Sequence, residues 1–148
     1  MRITKRLIDR LKKDETFSAT PYEDAGGYSV GYGHFLGTDP EKLKEYEYVS
    51  EGRAAAILMN DINTAVTDAE ILYDDFDSIE VERQEALVNM SFNMGRTKLK
   101  LFVKHIAAVN ERDWATAAEQ AKESLWYDQV GERAERVIQT LATGEPNV

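Results

Sequence analysis

Residues 16–34, TFSATPYEDAGGYSVGYGH, constrain the fold of this chain more than any other stretch. They are β-branched, aromatic and rich in glycine, with Pro21 and Gly26-Gly27 as breakers. That pattern predicts a small antiparallel sheet with tight turns. The flanks read differently. Upstream, Ile3, Leu7, Ile8 and Leu11 recur at helical spacing, and the pattern stops near Asp14-Glu15. Downstream, after a polar stretch with Pro40, an apolar stripe runs through Ala54, Ile57 or Leu58, Ile62, Ala65, Val66, Ala69 and Leu72. It predicts about six turns of one helix. Ser50 is a candidate N-cap for it, although Arg53 stands where a capping box would place Glu or Gln.

The remainder is helical in pattern. VERQEALVNMSFNMG predicts a helix closed by Gly95, and Asp113 is a candidate N-cap for the segment beginning at Trp114. GERAERVIQTLATG places Val137, Ile138 and Leu141 on one face and closes at Gly144, after which Glu145 to Val148 read as frayed. Trp114 and Trp126 are expected to pack between helices. The fold class that follows is α+β and mostly helical. A small sheet-bearing lobe at 13–60 and a helical lobe of 1–12 with 74–148 are expected. A connecting helix at 50–73 joins them, with a groove between the lobes.

Composition narrows what such a fold does. The chain of 148 residues has no cysteine, so disulfides, thiolate metal sites and thiol nucleophiles are excluded. Two histidines make a multi-histidine metal centre a poor reading, and neither a metal nor a cofactor is expected. In LYDDFDSIE the spacing of acids suggests calcium, but the loop glycine and the twelfth-position glutamate are missing. GGYSVGYG lacks the Gly-Lys-Ser/Thr ending of a phosphate loop. A formal charge of −9 argues against a sequence-independent grip on nucleic acid. No apolar run approaches the roughly 18 residues of a membrane span. MRITKRLIDRLKK lacks the apolar core of a signal peptide, so synthesis and folding in a cytoplasm are expected.

Two carboxylates stand out by position. Glu15 falls where a helix gives way to the sheet, and Asp24, nine positions on, falls at or near the hairpin turn. A strand and its return let both face one cleft. Glycosidic hydrolysis needs that pairing: one carboxyl protonates the leaving oxygen, and the other activates water or attacks the sugar. Tyr22, Tyr28, Tyr32 and Phe35 are suitable surfaces for sugar rings. A plainer reading stands beside it, because most of the 27 acidic residues are simply solvated and an Asp next to Gly-Gly is an ordinary turn former.

RLKKDETFSATPYEDAGGYSVGYGH also resembles the active-site region of phage endolysins of the T4-lysozyme type, glycoside hydrolase family 24. That family's pattern is a Glu, eight residues, an Asp, a few residues, a Thr, then Gly-x-Gly-His. ALVNMSFNMG and SLWYDQVGERAERVIQTLATG resemble the family's later helices, in order, so the likeness covers nearly the whole chain. The resemblance implies one lysozyme-like domain over 1–148. It implies hydrolysis of the β-1,4 bond between N-acetylmuramic acid and N-acetylglucosamine in peptidoglycan, with inversion. Glu15 then matches the general acid, Asp24 the second carboxylate, and Ser29 the position of the family's threonine. Ser29 keeps the hydroxyl but loses the methyl that restrains χ1. Asp24 to His34 is one residue shorter than in the family's type member. Thr16 stands where a glycine usually follows the acid; if that glycine serves a positive φ, threonine predicts a differently shaped helix end.

By the same resemblance Arg133 approaches the catalytic glutamate, and His34 pairs structurally with Asp61. Phe35, Phe92, His105 and Gln120 match saccharide-contacting positions, with Asn89 and Asn93 flanking Phe92. The expected partner is bacterial peptidoglycan, with no nucleic acid and no membrane insertion, and the expected state is a monomer. The enzyme is expected in the host bacterial cytoplasm, released to the wall by a separate hole-forming membrane protein. Its acidity leads to the expectation that moderate salt raises activity on an anionic wall. The competing reading is a catalytically weak or dead relative that binds glycan; a chitin-like substrate is the third.

Overall fold

The computed structural model describes residues 1–147, so the expectation of fraying at Glu145 to Val148 lies partly outside the described residues. Two compact units divide the chain, one of Thr4–Asn63 and one of Met1–Ile3 with the chain from Thr64 onward. The first helix therefore clusters with the sheet. The architecture is α+β, with nine α-helices and a single small antiparallel sheet among the described residues.

In the first unit, helix α1 spans Lys5–Glu15. Thr4 caps it by accepting from the Leu7 amide at 3.1 Å. Lys12 and Lys13 occupy its last turn, where cations suit the helix dipole. Leu7 and Leu11 are buried, and Ile8 is half-buried beside them. The sheet is β1 (Ser18–Asp24), β2 (Gly27–Gly31) and β3 (His34–Gly37), antiparallel in the order β1-β2-β3. Ala25 and Gly26 form the first turn at φ 48° and 80°, the positive pair that a two-residue hairpin turn demands. Tyr32 and Gly33 form the second, with Gly33 at φ 73°.

Helix α2 (Pro40–Glu45) begins on Asp39, which accepts from the Glu41 amide at 3.0 Å, so the polar stretch holds a short helix. Helix α3 follows at Glu51–Leu72, and Ser50 does cap it, accepting from the Arg53 amide at 3.1 Å. Along α3, Ala54, Leu58, Ile62, Ala65, Val66 and Ala69 are buried, which is the expected stripe. His34 Nδ1 lies 2.8 Å from Asp61 Oδ2, tying β3 to α3 within this unit.

The second unit is helical beyond α3. It contains α4 (Val81–Met94), α5 (Arg96–Leu99), α6 (Val103–Asn110), α7 (Trp114–Lys122), α8 (Leu125–Val130) and α9 (Glu132–Thr143). Helix α4 is buried continuously from Gln84 to Ser91 and ends at Gly95 (φ 78°), whose amide donates to Ser91. It packs on α9, which packs on α7, which packs on α6. Ala134, Val137, Ile138 and Leu141 give α9 its buried face, and Gly144 stops it at φ 76°. Asp113 caps α7 as expected, accepting from the Thr116 amide at 3.2 Å. Trp126 is buried and donates to Asn93 Oδ1 at 2.7 Å, while Trp114 lies half-buried with the Arg83 guanidinium 4.6 Å from its ring centre. Beyond α9, Glu145 and Asn147 are tied back through their amides to Thr143 and Thr140, so these positions are not simply frayed. No described helix is long and apolar enough to cross a membrane.

Candidate active site

Glu15 is the last residue of α1, where the chain must turn sharply into the sheet. The turn is made at Thr16, with φ 58° and its amide donating to Lys12 O at 3.0 Å. A β-branched residue rarely takes positive φ. The helix end thus keeps the glycine-like conformation despite the threonine, rather than being reshaped around it. Strain sits directly beside the candidate acid, where such outliers concentrate.

Gly33 fixes the other side of Glu15. A Cβ there would stand 2.8 Å from the Glu15 carboxyl carbon and 3.0 Å from its Cγ. Glycine is required at Gly33 twice over, by its φ of 73° and by the close carboxylate. The neighbouring Tyr32 anchors this turn. Its ring is buried, 5.6 Å from the Phe17 ring, and its hydroxyl donates to Glu51 Oε1 at 3.1 Å.

Asp24 ends β1 at the rim of the hairpin and is exposed. It borders an open pocket of about 450 Å³ that Glu23, Tyr28 and Thr38 also line. Ser29 is fully buried, and its hydroxyl donates to Asp24 Oδ2 at 2.9 Å. The serine therefore still grips the carboxylate without the threonine methyl. Register explains the meeting: Ser29 is paired with Tyr22 on β1 and with Phe35 on β3. Directly paired residues share a sheet face, and Asp24 lies two residues beyond Tyr22 on that same face. The row Tyr22, Ser29, Phe35 with Asp24 beside it puts two aromatics next to the carboxylate. Phe35 is 53% exposed.

Tyr22 reports on both acids. Burial raises its phenol above the usual tyrosine range, and the charges of Asp24 and Glu15 raise it further. The two carboxylates thus act on one hydroxyl within the first unit. Among the described residues, no group of three or more His, Cys, Asp or Glu is arranged to hold a metal ion.

The residues expected in the helical unit fall into distinct environments. Phe92 is half-buried on α4, and Gln120 is half-buried on α7, lining an open pocket of about 400 Å³ with Leu101, Phe102, Val103 and His105. Asn93 is exposed, but Asn89 is buried and accepts from Arg133 Nε at 2.8 Å. His105 departs from expectation: it is a core residue, 1% exposed. Its Nε2 lies 2.8 Å from the Tyr73 hydroxyl and its Nδ1 3.0 Å from Ala117 O. Both ring nitrogens are committed internally, which leaves neither for a saccharide. Burial holds its pKa below the usual histidine range, against the opposing pull of the Ala117 carbonyl. A sequence signal existed: His105, Ala108 and Val109 are spaced as one helical face, and all three are buried. The clearance at Gly33 and the placement of Tyr22 had no such signal.

A helix ending in a carboxylate against a small antiparallel sheet that presents a second one is the arrangement of a lysozyme-like α+β protein. Comparison with known proteins agrees with it. Residues 12–143 match the phage lysozyme family. The chain is 28% identical to a probable T4-type lysozyme 2 of Dictyostelium discoideum, over 93% of this chain and 94% of that one. It is 29% identical to the peptidoglycan hydrolase gp36 of Pseudomonas phage phiKMV, over 89% of this chain but 14% of that longer protein. A similar segment, 28% identical, lies in the pre-baseplate central spike protein Gp5 of Enterobacteria phage T4, over 93% of this chain and 28% of that one. The chain belongs to the phage lysozyme family. It is an enzyme, a lysozyme that hydrolyses peptidoglycan.

Proposed function

We propose that this lysozyme cleaves the β-1,4 bond between N-acetylmuramic acid and N-acetylglucosamine by single displacement with inversion. Glu15 gives its proton to the departing glycosidic oxygen as the sugar C1 gains oxocarbenium character. Asp24 takes a proton from a water on the opposite face of the ring, and the water oxygen forms the new bond to C1. Ser29 holds the Asp24 carboxylate in one orientation and, through it, fixes where the water sits. Such a pathway needs about 6.5–9.5 Å between the carboxyls, room that a retaining pair at about 5–5.5 Å lacks.

The observation that supports this most is the Ser29 to Asp24 hydrogen bond of 2.9 Å. A buried hydroxyl given wholly to an exposed carboxylate contributes little to a core, but it fixes that carboxylate for chemistry. This also disfavours a glycan-binding module without turnover, which has no use for an oriented base. The same reading puts the enzyme's work at the wall, reached from the host cytoplasm through a hole made by a separate membrane protein. The test is to incubate purified peptidoglycan with the protein and with Glu15→Gln, following new reducing ends. The parent is expected to release N-acetylmuramic acid ends, and the variant to fall by about 10²–10⁴-fold. Equal rates from both would overturn the role of Glu15.

A further inference from the structure

We infer that Tyr22 is a third substrate-contacting residue of this site, its phenol O–H donating a hydrogen bond to an oxygen of the bound saccharide beside Asp24 and Ser29. The inference rests on the proposed reaction and deepens it. Three features of the structure carry it. The first is placement: Tyr22 is the cross-strand partner of Ser29 and lies two residues before Asp24, so all three side chains stand on one face of the sheet. The second is an unspent donor. Tyr22 is half-buried, and what raises its phenol pKa is burial and the charges of Asp24 and Glu15, with no hydrogen bond among the causes. Tyr32 and Tyr127 each donate to a glutamate, and Tyr73 is bonded to His105. A half-buried phenol gains from a partner, and Tyr22 is left to take one from outside the chain.

The third is protonation. Burial, then the fields of Asp24 and Glu15, raise the Tyr22 pKa, so the group stays a neutral O–H at any pH where the enzyme works. Saccharide oxygens are acceptors, whether hydroxyl, ring or acetamido carbonyl. Between carboxylates that can only accept when ionised, a neutral donor supplies the missing complement without adding charge. Tyr28 lines the open pocket at the Asp24 rim but pairs with Glu23, so it stands on the face of the sheet opposite Ser29 and Tyr22.

The test compares the parent with Tyr22→Phe, which removes one oxygen and keeps the ring. Loss of one neutral hydrogen bond is expected to lower kcat/KM by about three- to tenfold, with Tm unchanged and the pH profile unaltered in shape. A purely packing role would leave kcat/KM at the parental value, and that result overturns the inference; so does a loss that merely follows a lowered folded fraction. Binding separates this inference from the mechanism it rests on. In a Glu15→Gln background, Tyr22→Phe is expected to weaken binding of a purified muropeptide tetrasaccharide by a similar factor. If the parent forms no reducing ends, the proposed reaction fails; if the parent turns over and Tyr22→Phe matches it in rate and binding, only the role of Tyr22 fails.

Discussion

Ser29 and His105 are polar side chains shut off from solvent to almost the same degree, at 0% and 1% exposure, in the sheet unit and the helical unit respectively. Their partners differ. Ser29 donates to a carboxylate that solvent and substrate can reach, whereas His105 is held between a buried tyrosine hydroxyl and a helix carbonyl. Burial alone therefore assigns neither role. A buried polar group whose partners are all internal serves stability, and one whose partner faces outward is placed to orient that partner for the proposed chemistry. The backbone follows the same division. Thr16, Ala25, Gly31 and Gly33 crowd positive φ values around the sheet, while among the described residues the long helices meet such values only at their ends or in their connections.

The comparison breaks first, and by the largest amount, at His105. His105→Ala removes the partner of a fully buried tyrosine hydroxyl and opens a cavity, at a cost of about 3 kcal/mol in unfolding free energy. Turnover per folded molecule is expected to stay at the parental level, measured well below Tm. A pH signature goes with it. The folded His105 pKa is depressed by burial, so the stability tied to its neutral ring is fully present above the ordinary histidine value of about 6.5. It is lost as pH falls through the lower folded value, because the unfolded chain takes up the proton first. Thermal unfolding from pH 8 to 4.5 should show that decline in the parent and a smaller one in His105→Ala.

Gly33→Ala tests the sheet unit with the converse expectation. The new Cβ meets the Glu15 carboxyl, and displacing that group by about an ångström is expected to cost about 10²-fold in kcat. The fold should persist by circular dichroism, and near-parental activity would show that Glu15 needs no fixed seat. Ser29→Ala is expected to lose about tenfold in kcat through the loosened carboxylate, with little change in Tm, while Ser29→Thr keeps or raises the rate. The smallest effect is at Thr16. Relieving its positive φ by Thr16→Gly should add about 1 kcal/mol of stability, read from denaturant midpoints at unchanged slope.

Local chemistry made much of the fold legible in the sequence. Ser50, Asp113, Gly95 and Gly144 mark helix ends because capping involves residues only a few positions apart. The glycine-rich stretch announced the hairpins for the same reason. The candidate site was legible only in outline. Glu15, Asp24, Ser29 and Phe35 stood out by pattern and resemblance, but what each touches depends on strand register and on the approach of one turn to one helix end. Gly33 meets Glu15 across eighteen positions, and no periodicity encodes that meeting. Position-by-position resemblance sent His105 to the saccharide, whereas its own helical spacing with Ala108 and Val109 sends it inward, and the inward reading is the one the structure has.

The most direct measurement is the anomeric configuration of the first product. A defined β-1,4-linked peptidoglycan oligomer is cleaved in a proton NMR tube, and the new N-acetylmuramic acid end is observed before mutarotation. An acid at Glu15 with water held by Asp24 and Ser29 predicts the α-anomer as the initial product. An initial β-anomer would mean a covalent intermediate and would contradict the assignment of Asp24 and Ser29 to a water.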